Sequence, residues 1–156
     1  MADGTLNGVP AGFHTVTANI TVDGASEAID YYRRAFDAVE VQRSSAPDGK
    51  KIWHAELRIG DTMLMLNDAF PEMGGAPARP EGGHPFGFWL YVPDVDAVHA
   101  AAIAAGGTAT SSVETQFWGD RTGSLTDPFG FSWTIATRVE NVSEEERRRR
   151  AAAFSA

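Results

Sequence analysis

Cysteine is absent from this chain of 156 residues, and its 13 lysines and arginines are outnumbered by 21 aspartates and glutamates, which gives a formal net charge of −8. Without cysteine there is no disulfide framework, no thiolate zinc site and no thiol nucleophile. The acidic excess argues against binding to nucleic acid or to anionic membranes. No apolar run approaches the roughly 20 residues of a membrane-spanning helix. We therefore expect a cytoplasmic protein that acts on a small molecule or a protein partner.

The remaining composition is that of a folded domain, with 43% hydrophobic and 22% charged residues. Alternation of apolar and polar residues predicts a strand over residues 14–22. Helical spacing of apolar residues from Ala28 to Phe36 then predicts a helix, for which Ser26 or Asp23 is a candidate N-cap. Three further strands are predicted over residues 38–45, 52–59 and 62–67.

The order β-α-β-β-β then repeats. Residues 68–84 contain three prolines and four glycines and predict a linker. After it come a strand, a helix that begins at Pro93-Asp94 and ends at Gly106-Gly107, and three more strands. These four strands are predicted over residues 86–92, 108–113, 117–126 and 131–137.

The C-terminal segment, residues 139–156, has a different composition. Ser143 and Glu146 form a capping box, and acidic residues precede arginines, as the helix dipole favours. The pattern predicts a solvated terminal helix, and the alternative is a helix that docks on a partner subunit.

Six stretches in order along residues 10–138 carry a resemblance to a known family. They are Gly12–Thr17, Ala28–Phe36, His54–Asp61, Phe70–Gly75, Gln116–Arg121 and Asp127–Gly130. With the repeated β-α-β-β-β order, they resemble the vicinal oxygen chelate superfamily of glyoxalase I, bleomycin-resistance proteins, extradiol dioxygenases and fosfomycin-resistance proteins, and within it the PhnB-like branch.

This resemblance implies an α+β fold in which tandem βαβββ units form a curved mixed sheet, a half-barrel cup with helices outside. It makes residues 1–138 a single domain, with unit 1 at about 12–67 and unit 2 at about 85–138. It also implies a homodimer that binds a small organic molecule in the cup.

The metalloenzymes of that superfamily hold a divalent ion with His, Glu or Gln side chains on the first and last strand of each unit. On this chain those positions fall on Thr17, Leu64, Gly87 and Thr134. None is a good ligand for a divalent ion. We therefore expect no metal and no other cofactor, and a divalent ion on non-standard donors is the alternative.

Strand parity predicts which side chains line the cup. The predicted lining is Thr17, Asn19, His54, Glu56, Leu64, Leu66, Trp89, Tyr91, Ser132 and Thr134, with Gln116 and Trp118 close by. Such aromatic walls with a few polar donors suit a planar or semi-apolar organic ligand. The alternative is that the aromatic residues fill the interior of a small barrel.

For other charged and aromatic residues we predict structural roles. Trp53 and Trp133 lie at the alternating strand positions predicted to face the core, and His99 is predicted at the surface of a helix. Asp120 and Arg121 are predicted to form an ion pair that holds a turn, or a charged gate over the cup.

Two functions remain in competition. The first is metal-free binding, in which Trp89, Tyr91 and Trp118 stack on the ligand and hydroxyl and amide groups orient it. The second is a lyase, isomerase or dioxygenase that uses a divalent metal on non-standard ligands. In a metal-free form of this enzyme, His54 and Glu56 act as the acid–base pair, whereas the competing interpretation makes them ordinary solvent-facing residues.

Overall fold

The computed structural model describes residues 8–77 and 86–154. The chain divides into two compact units, residues 1–77 and 78–156. Each unit has the predicted β-α-β-β-β order, and the second ends in a further helix. The predicted linker lies partly outside the described residues, at 78–84, as does the predicted start of unit 2 at residue 85.

Unit 1 is a four-stranded mixed sheet with one helix. Its strand order is β1-β4-β3-β2, with β1 parallel to β4 and the other neighbours antiparallel. The elements are β1 (Ala18–Val22), α1 (Ala25–Phe36), β2 (Val39–Ser45), β3 (Ile52–Ile59) and β4 (Thr62–Asp68), followed by a 3-10 helix (Pro71–Met73).

The core of unit 1 lies between α1 and one face of the sheet. Ile29 on α1 and Leu57 and Leu66 on the strands are all fully buried, and each such side chain contributes about 1.5–3 kcal/mol of hydrophobic stabilisation. The first predicted strand is wrong at its start, because β1 begins only at Ala18 and Val16 is 88% exposed.

A buried carboxylate at the end of β4 fixes the start of α1. The Asp68 Oδ1 atom accepts hydrogen bonds from the backbone N–H groups of Gly24 (3.0 Å) and Ala25 (2.8 Å). Neither Ser26 nor Asp23 caps the helix, so that prediction is wrong. A tertiary contact supplies the cap because Val22, at the end of β1, pairs with Asp68.

Unit 2 repeats the arrangement, with strand order β5-β8-β7-β6 and β5 parallel to β8. Its elements are β5 (Gly87–Tyr91), α2 (Val95–Ala104), β6 (Thr108–Thr115), β7 (Asp120–Thr126), β8 (Ser132–Arg138) and α3 (Glu144–Phe154). The family fold expected from the resemblance, an α+β pair of mixed sheets, is thereby confirmed.

The core of unit 2 lies between α2 and the face of the sheet that carries Leu125, Trp133 and Ile135, all at most 3% exposed. His99 on α2 is 8% exposed, and its Nε2 atom lies 3.2 Å from the Ser124 carbonyl oxygen. The prediction of a surface histidine is therefore wrong, since the imidazole fills the layer between helix and sheet.

No helix in residues 8–77 and 86–154 combines the length and the apolar character that crossing a membrane requires.

Candidate functional site

The face of the unit 2 sheet turned away from α2 carries exposed aromatic side chains; we call it the aromatic face, defined by Trp89, Tyr91, Ser124 and Thr134. Trp89 is 50% exposed and Tyr91 56% exposed. The centroids of their rings are 6.4 Å apart, and the ring planes meet at an angle of 46°. Side chains two apart on a strand share a face, so the alternation of β5 places both rings beside each other.

Two hydroxyl groups lie next to these rings. Thr134 pairs with Trp89 across β5 and β8, and Ser124 pairs with Thr134 across β7 and β8. The Ser124 and Thr134 hydroxyl oxygens are 3.0 Å apart and share a hydrogen bond. They offer a ligand one directional donor or acceptor beside an aromatic surface.

A buried carboxylate organises one end of the aromatic face. Asp120 is 1% exposed, and its Oδ2 atom accepts hydrogen bonds from the Tyr91 hydroxyl (3.0 Å) and the Trp118 Nε1–H group (3.0 Å). Arg138 donates from Nε to Oδ1 at 2.5 Å. The three donors satisfy both carboxylate oxygens, and this fixes the orientation of two aromatic rings.

The predicted ion pair between Asp120 and Arg121 is wrong. Neighbouring residues on a strand point to opposite faces, so Arg121 lies on the α2 side. There it donates from Nε and Nη2 to the Asp96 carboxylate at 2.8 and 2.7 Å. The hydrogen bond from Arg121 lowers the pKa of Asp96 below its ordinary value.

The turn before β7 brings Trp118 to this carboxylate. Gly119 has a φ of +100°, and a Cβ atom there would lie 2.3 Å from the Glu140 carbonyl oxygen, so only glycine fits. The side chain of Gln116, predicted to approach the site, donates to the Glu114 carbonyl oxygen at 3.5 Å.

The C-terminal helix is anchored to the same turn. Arg150 forms two hydrogen bonds of 2.9 Å to the Glu140 carboxylate and donates to the Phe117 carbonyl oxygen at 3.3 Å. The rings of Phe117 and Phe154 are 5.5 Å apart. The helix thus packs on the loop that holds Trp118, although none of its side chains is fully buried.

The corresponding face of unit 1 is polar; we call it the amide face, defined by Asn19, His54, Glu56, Met65 and Asn67. The His54 Nε2 and Glu56 Oε1 atoms are 3.1 Å apart, with exposed side-chain fractions of 35% and 16%. Asn19 donates to the Asn67 side-chain oxygen at 3.4 Å. This places the predicted acid–base pair on a solvent-accessible face.

Thr17 lies just before β1, and its hydroxyl donates to the His14 carbonyl oxygen at 3.2 Å. It is half-buried. Its one donor is therefore already used by the chain, although its oxygen remains able to accept a hydrogen bond.

Leu64 and Leu66 do not line a cup, contrary to prediction. They are 4% and 0% exposed and pair with Ala18 and Ile20 on the α1 side of the sheet. Met65, between them, pairs with Asn19 and Glu56 and lies on the amide face.

The strand register explains this error. Asn19 pairs with Met65 in unit 1, and Trp89 pairs with Thr134 in unit 2. The predicted lining places β4 one residue out of step with β8, and a one-residue shift exchanges the faces of a strand. Met65, and not Leu64, is the counterpart of Thr134.

Trp53 is also wrongly predicted as a core residue, since it is 46% exposed, whereas Trp133 is buried as predicted. The pairing of β2 with β3 is irregular between Ser44 and Ser45, which face His54 and Ile52. This irregularity buries Ile52 and turns Trp53 outward, where its ring lies 5.5 Å from Phe70.

Ser124, on the aromatic face, and Arg138, at its end, are absent from the predicted lining. Both share the face of Thr134 by strand parity, so the signal was present in the alternation. Arg138 follows the predicted end of its strand at residue 137, and the prediction for residues 117–126 assigns no face to Ser124.

A comparison with known protein families identifies the family of this chain. The family model described as "Glyoxalase/Bleomycin resistance protein/Dioxygenase superfamily" matches residues 12–135. The chain belongs to this superfamily. An uncharacterized protein of Mycobacterium tuberculosis is 46% identical over 134 residues, which cover 84% of this chain and 78% of the relative.

Two solved structures illustrate how widely this fold is shared. TioX from Micromonospora has a TM-score of 0.63 and 24% identity, with 81% of this chain and 99% of TioX covered. A PhnB protein from Bacillus cereus has a TM-score of 0.64 and 18% identity, with coverage of 80% and 99%. At these identities the likeness concerns the fold alone.

The metal that the superfamily resemblance implies can be tested against the residues present. The positions that hold metal ligands in that superfamily fall on Thr17, Gly87, Thr134 and, after the register correction, Met65. None carries a carboxylate or an imidazole, which divalent ions prefer. Within residues 8–77 and 86–154, no three His, Asp or Glu side chains come together in a way that fits a metal ion. This glyoxalase-superfamily chain therefore lacks a fitting donor set at those positions.

Proposed function

We propose that this protein binds a planar or semi-apolar organic ligand on the aromatic face of unit 2, without a divalent metal. The observation that carries the proposal is the pair of Trp89 and Tyr91 rings, each about half exposed and side by side on a sheet face. Large aromatic side chains are costly to leave in water, and a ligand that stacks on them removes that cost.

Polar groups around the rings give such a ligand an orientation. Thr134 offers a hydroxyl beside Trp89, and Trp118, held by Asp120, adds a third aromatic surface. The proposal also includes a contact to Gln116. The ligand contacts predicted for Thr17 and Asn19, which belong to unit 1, stay predictions.

Replacement of Trp89 tests the binding surface. We expect Trp89→Leu to weaken binding of the neutral planar probe 2-naphthamide by about three- to tenfold, because an aromatic contact contributes about 0.5–1.5 kcal/mol beyond its buried area. Isothermal titration calorimetry measures the affinity without optical interference from tryptophan.

Trp53→Leu is the matched control, since Trp53 is 46% exposed on β3 and contacts Phe70 instead. It should leave the affinity unchanged. Equal affinity of wild type and Trp89→Leu would contradict the proposal.

A second candidate is an enzyme that uses His54 and Glu56, favoured by their 3.1 Å contact on the amide face. A carboxylate beside an imidazole orients the ring, which suits proton transfer in an isomerase or lyase. His54→Ala should then abolish any turnover found by screening the wild type against carbonyl substrates. Turnover that survives the substitution would exclude this base.

We propose further that the protein is a cytoplasmic homodimer of the PhnB-like branch. The mass of one chain is 16.7 kDa, so light scattering coupled to size exclusion distinguishes a dimer from a monomer directly.

A further inference from the structure

Arg138 lies at the end of β8, where its guanidinium meets Asp120. The two groups differ sharply in burial: the Arg138 side chain is 48% exposed, whereas that of Asp120 is 1% exposed. One end of the ion pair is thus enclosed by protein, and the other end reaches solvent at the edge of the aromatic face.

The carboxylate does not depend on the arginine alone. Its Oδ2 atom already accepts from Tyr91 and Trp118, so Arg138 contacts Oδ1 through Nε. The pKa of Arg138 is raised above its ordinary value, mainly by its hydrogen bond to Asp120 and secondly by one to Tyr91. A guanidinium carries five N–H donors, and Arg138 has no further acceptor among residues 8–77 and 86–154. Its Nη groups therefore retain donors for a ligand.

The position of Arg138 relative to the rings follows from the strand register. Trp89 pairs with Thr134, and Tyr91 pairs with Ala136. Arg138 is the next residue on the same face of β8, about 7 Å further along the strand. A planar group that lies on Tyr91 therefore has its edge directed toward the guanidinium.

We propose that Arg138 is the anion-binding residue of this site and that the ligand is a planar organic acid. Its carboxylate pairs with the Nη groups of Arg138 while its ring lies on Trp89 and Tyr91. Asp120 is a positioning residue, because it holds the guanidinium in place without touching the ligand. This inference rests on the proposed function and adds the charge of the ligand to it.

A pair of probes that differ only in charge tests the inference: 2-naphthoate and the neutral 2-naphthamide, both titrated by calorimetry. The wild type should bind 2-naphthoate on the order of tenfold more tightly, since charge-assisted hydrogen bonds to a carboxylate are stronger than neutral ones. Arg138→Lys should lose this preference and keep its affinity for 2-naphthamide. A lysine ammonium can still pair with Asp120 but lacks the planar fork that binds a second carboxylate.

Arg121→Lys is the matched control, because Arg121 also pairs with an aspartate, Asp96, on the opposite face of the sheet. It should retain the preference. Equal affinity of the wild type for both probes, or a preference that survives in Arg138→Lys, would overturn the inference and leave the proposed function standing. Binding of neither probe by the wild type would overturn both.

Discussion

Asp120 connects the core of unit 2 to its aromatic face. A carboxylate that is 1% exposed is expensive to desolvate, and it is tolerated here because three donors satisfy it. Those donors belong to Tyr91, Trp118 and Arg138, which come from β5, the turn before β7 and β8. A single side chain thereby fixes three parts of the proposed binding surface.

Removal of this carboxylate is expected to cost both stability and ligand affinity. Asp120→Ala leaves the Tyr91 and Trp118 donors without an acceptor, and we expect the free energy of unfolding to fall by about 3 kcal/mol. Urea denaturation measures this change. Asp96→Ala, which breaks the exposed pair with Arg121, is the control and should have a much smaller effect. A loss for Asp120→Ala as small as that of the control would show that the buried network contributes little.

At the scale of elements, α3 is held by ion pairs and not by a buried apolar stripe. Arg150 contacts Glu140 and Glu146 through hydrogen bonds of 2.6–2.9 Å. Hydrogen bonds from Arg150 lower the pKa of Glu140. The pKa of Glu146 is lowered mainly by hydrogen bonds from Arg149 and secondly by those from Arg150. We therefore expect the ion pair of Arg150 with Glu140, more than the ring contact between Phe117 and Phe154, to hold the helix on the Phe117 turn.

This attachment should depend on pH. Carboxylates whose pKa is lowered in the folded state stabilise it above their ordinary pKa, and the stabilisation is lost as the pH falls through the lowered pKa. We expect the amides of α3 to lose protection from hydrogen exchange, after correction for the intrinsic rate, as the pH falls below the ordinary glutamate pKa of about 4.3.

Arg150→Gln should show the low protection already at pH 6, whereas Arg147→Gln, at an exposed position on the same helix, should behave as wild type. If α3 is as well protected in Arg150→Gln as in wild type, packing of Phe154 on Phe117 holds the helix instead.

At the scale of the whole molecule, two units use the same framework for different surfaces. In each, the last strand fixes the start of the helix, through Asp68 in unit 1 and through Thr137, which accepts from the Val95 N–H group, in unit 2. The faces turned away from the helices then diverge into an amide face and an aromatic face. Neither face presents the set of carboxylates and imidazoles that a divalent ion requires.

The protein should consequently be indifferent to divalent metals. We expect the melting temperature of chelator-treated protein to stay constant when Mg²⁺, Mn²⁺, Ni²⁺ or Zn²⁺ is added, because an ion at a hundred times its Kd would raise it by about 5 °C or more. Differential scanning fluorimetry and elemental analysis check this together. Stoichiometric metal in the purified protein would contradict it.

The amino-acid sequence by itself determined the elements and their order, because alternation, helical spacing and turn residues are local properties. The superfamily follows from the six stretches that resemble it, and the family model over residues 12–135 confirms it. It also determined that Trp89 and Tyr91 share a face, since alternation within one regular strand needs no tertiary information.

Only the tertiary structure decided which residues meet between strands. The pairing of β1 with β4 buries Leu64 and places Met65 on the amide face, and the irregular pairing of β2 with β3 turns Trp53 outward. The pairing of β7 with β8 joins Asp120 to Arg138 and not to its chain neighbour Arg121. Such contacts depend on distances between segments far apart in the chain, which no local pattern encodes.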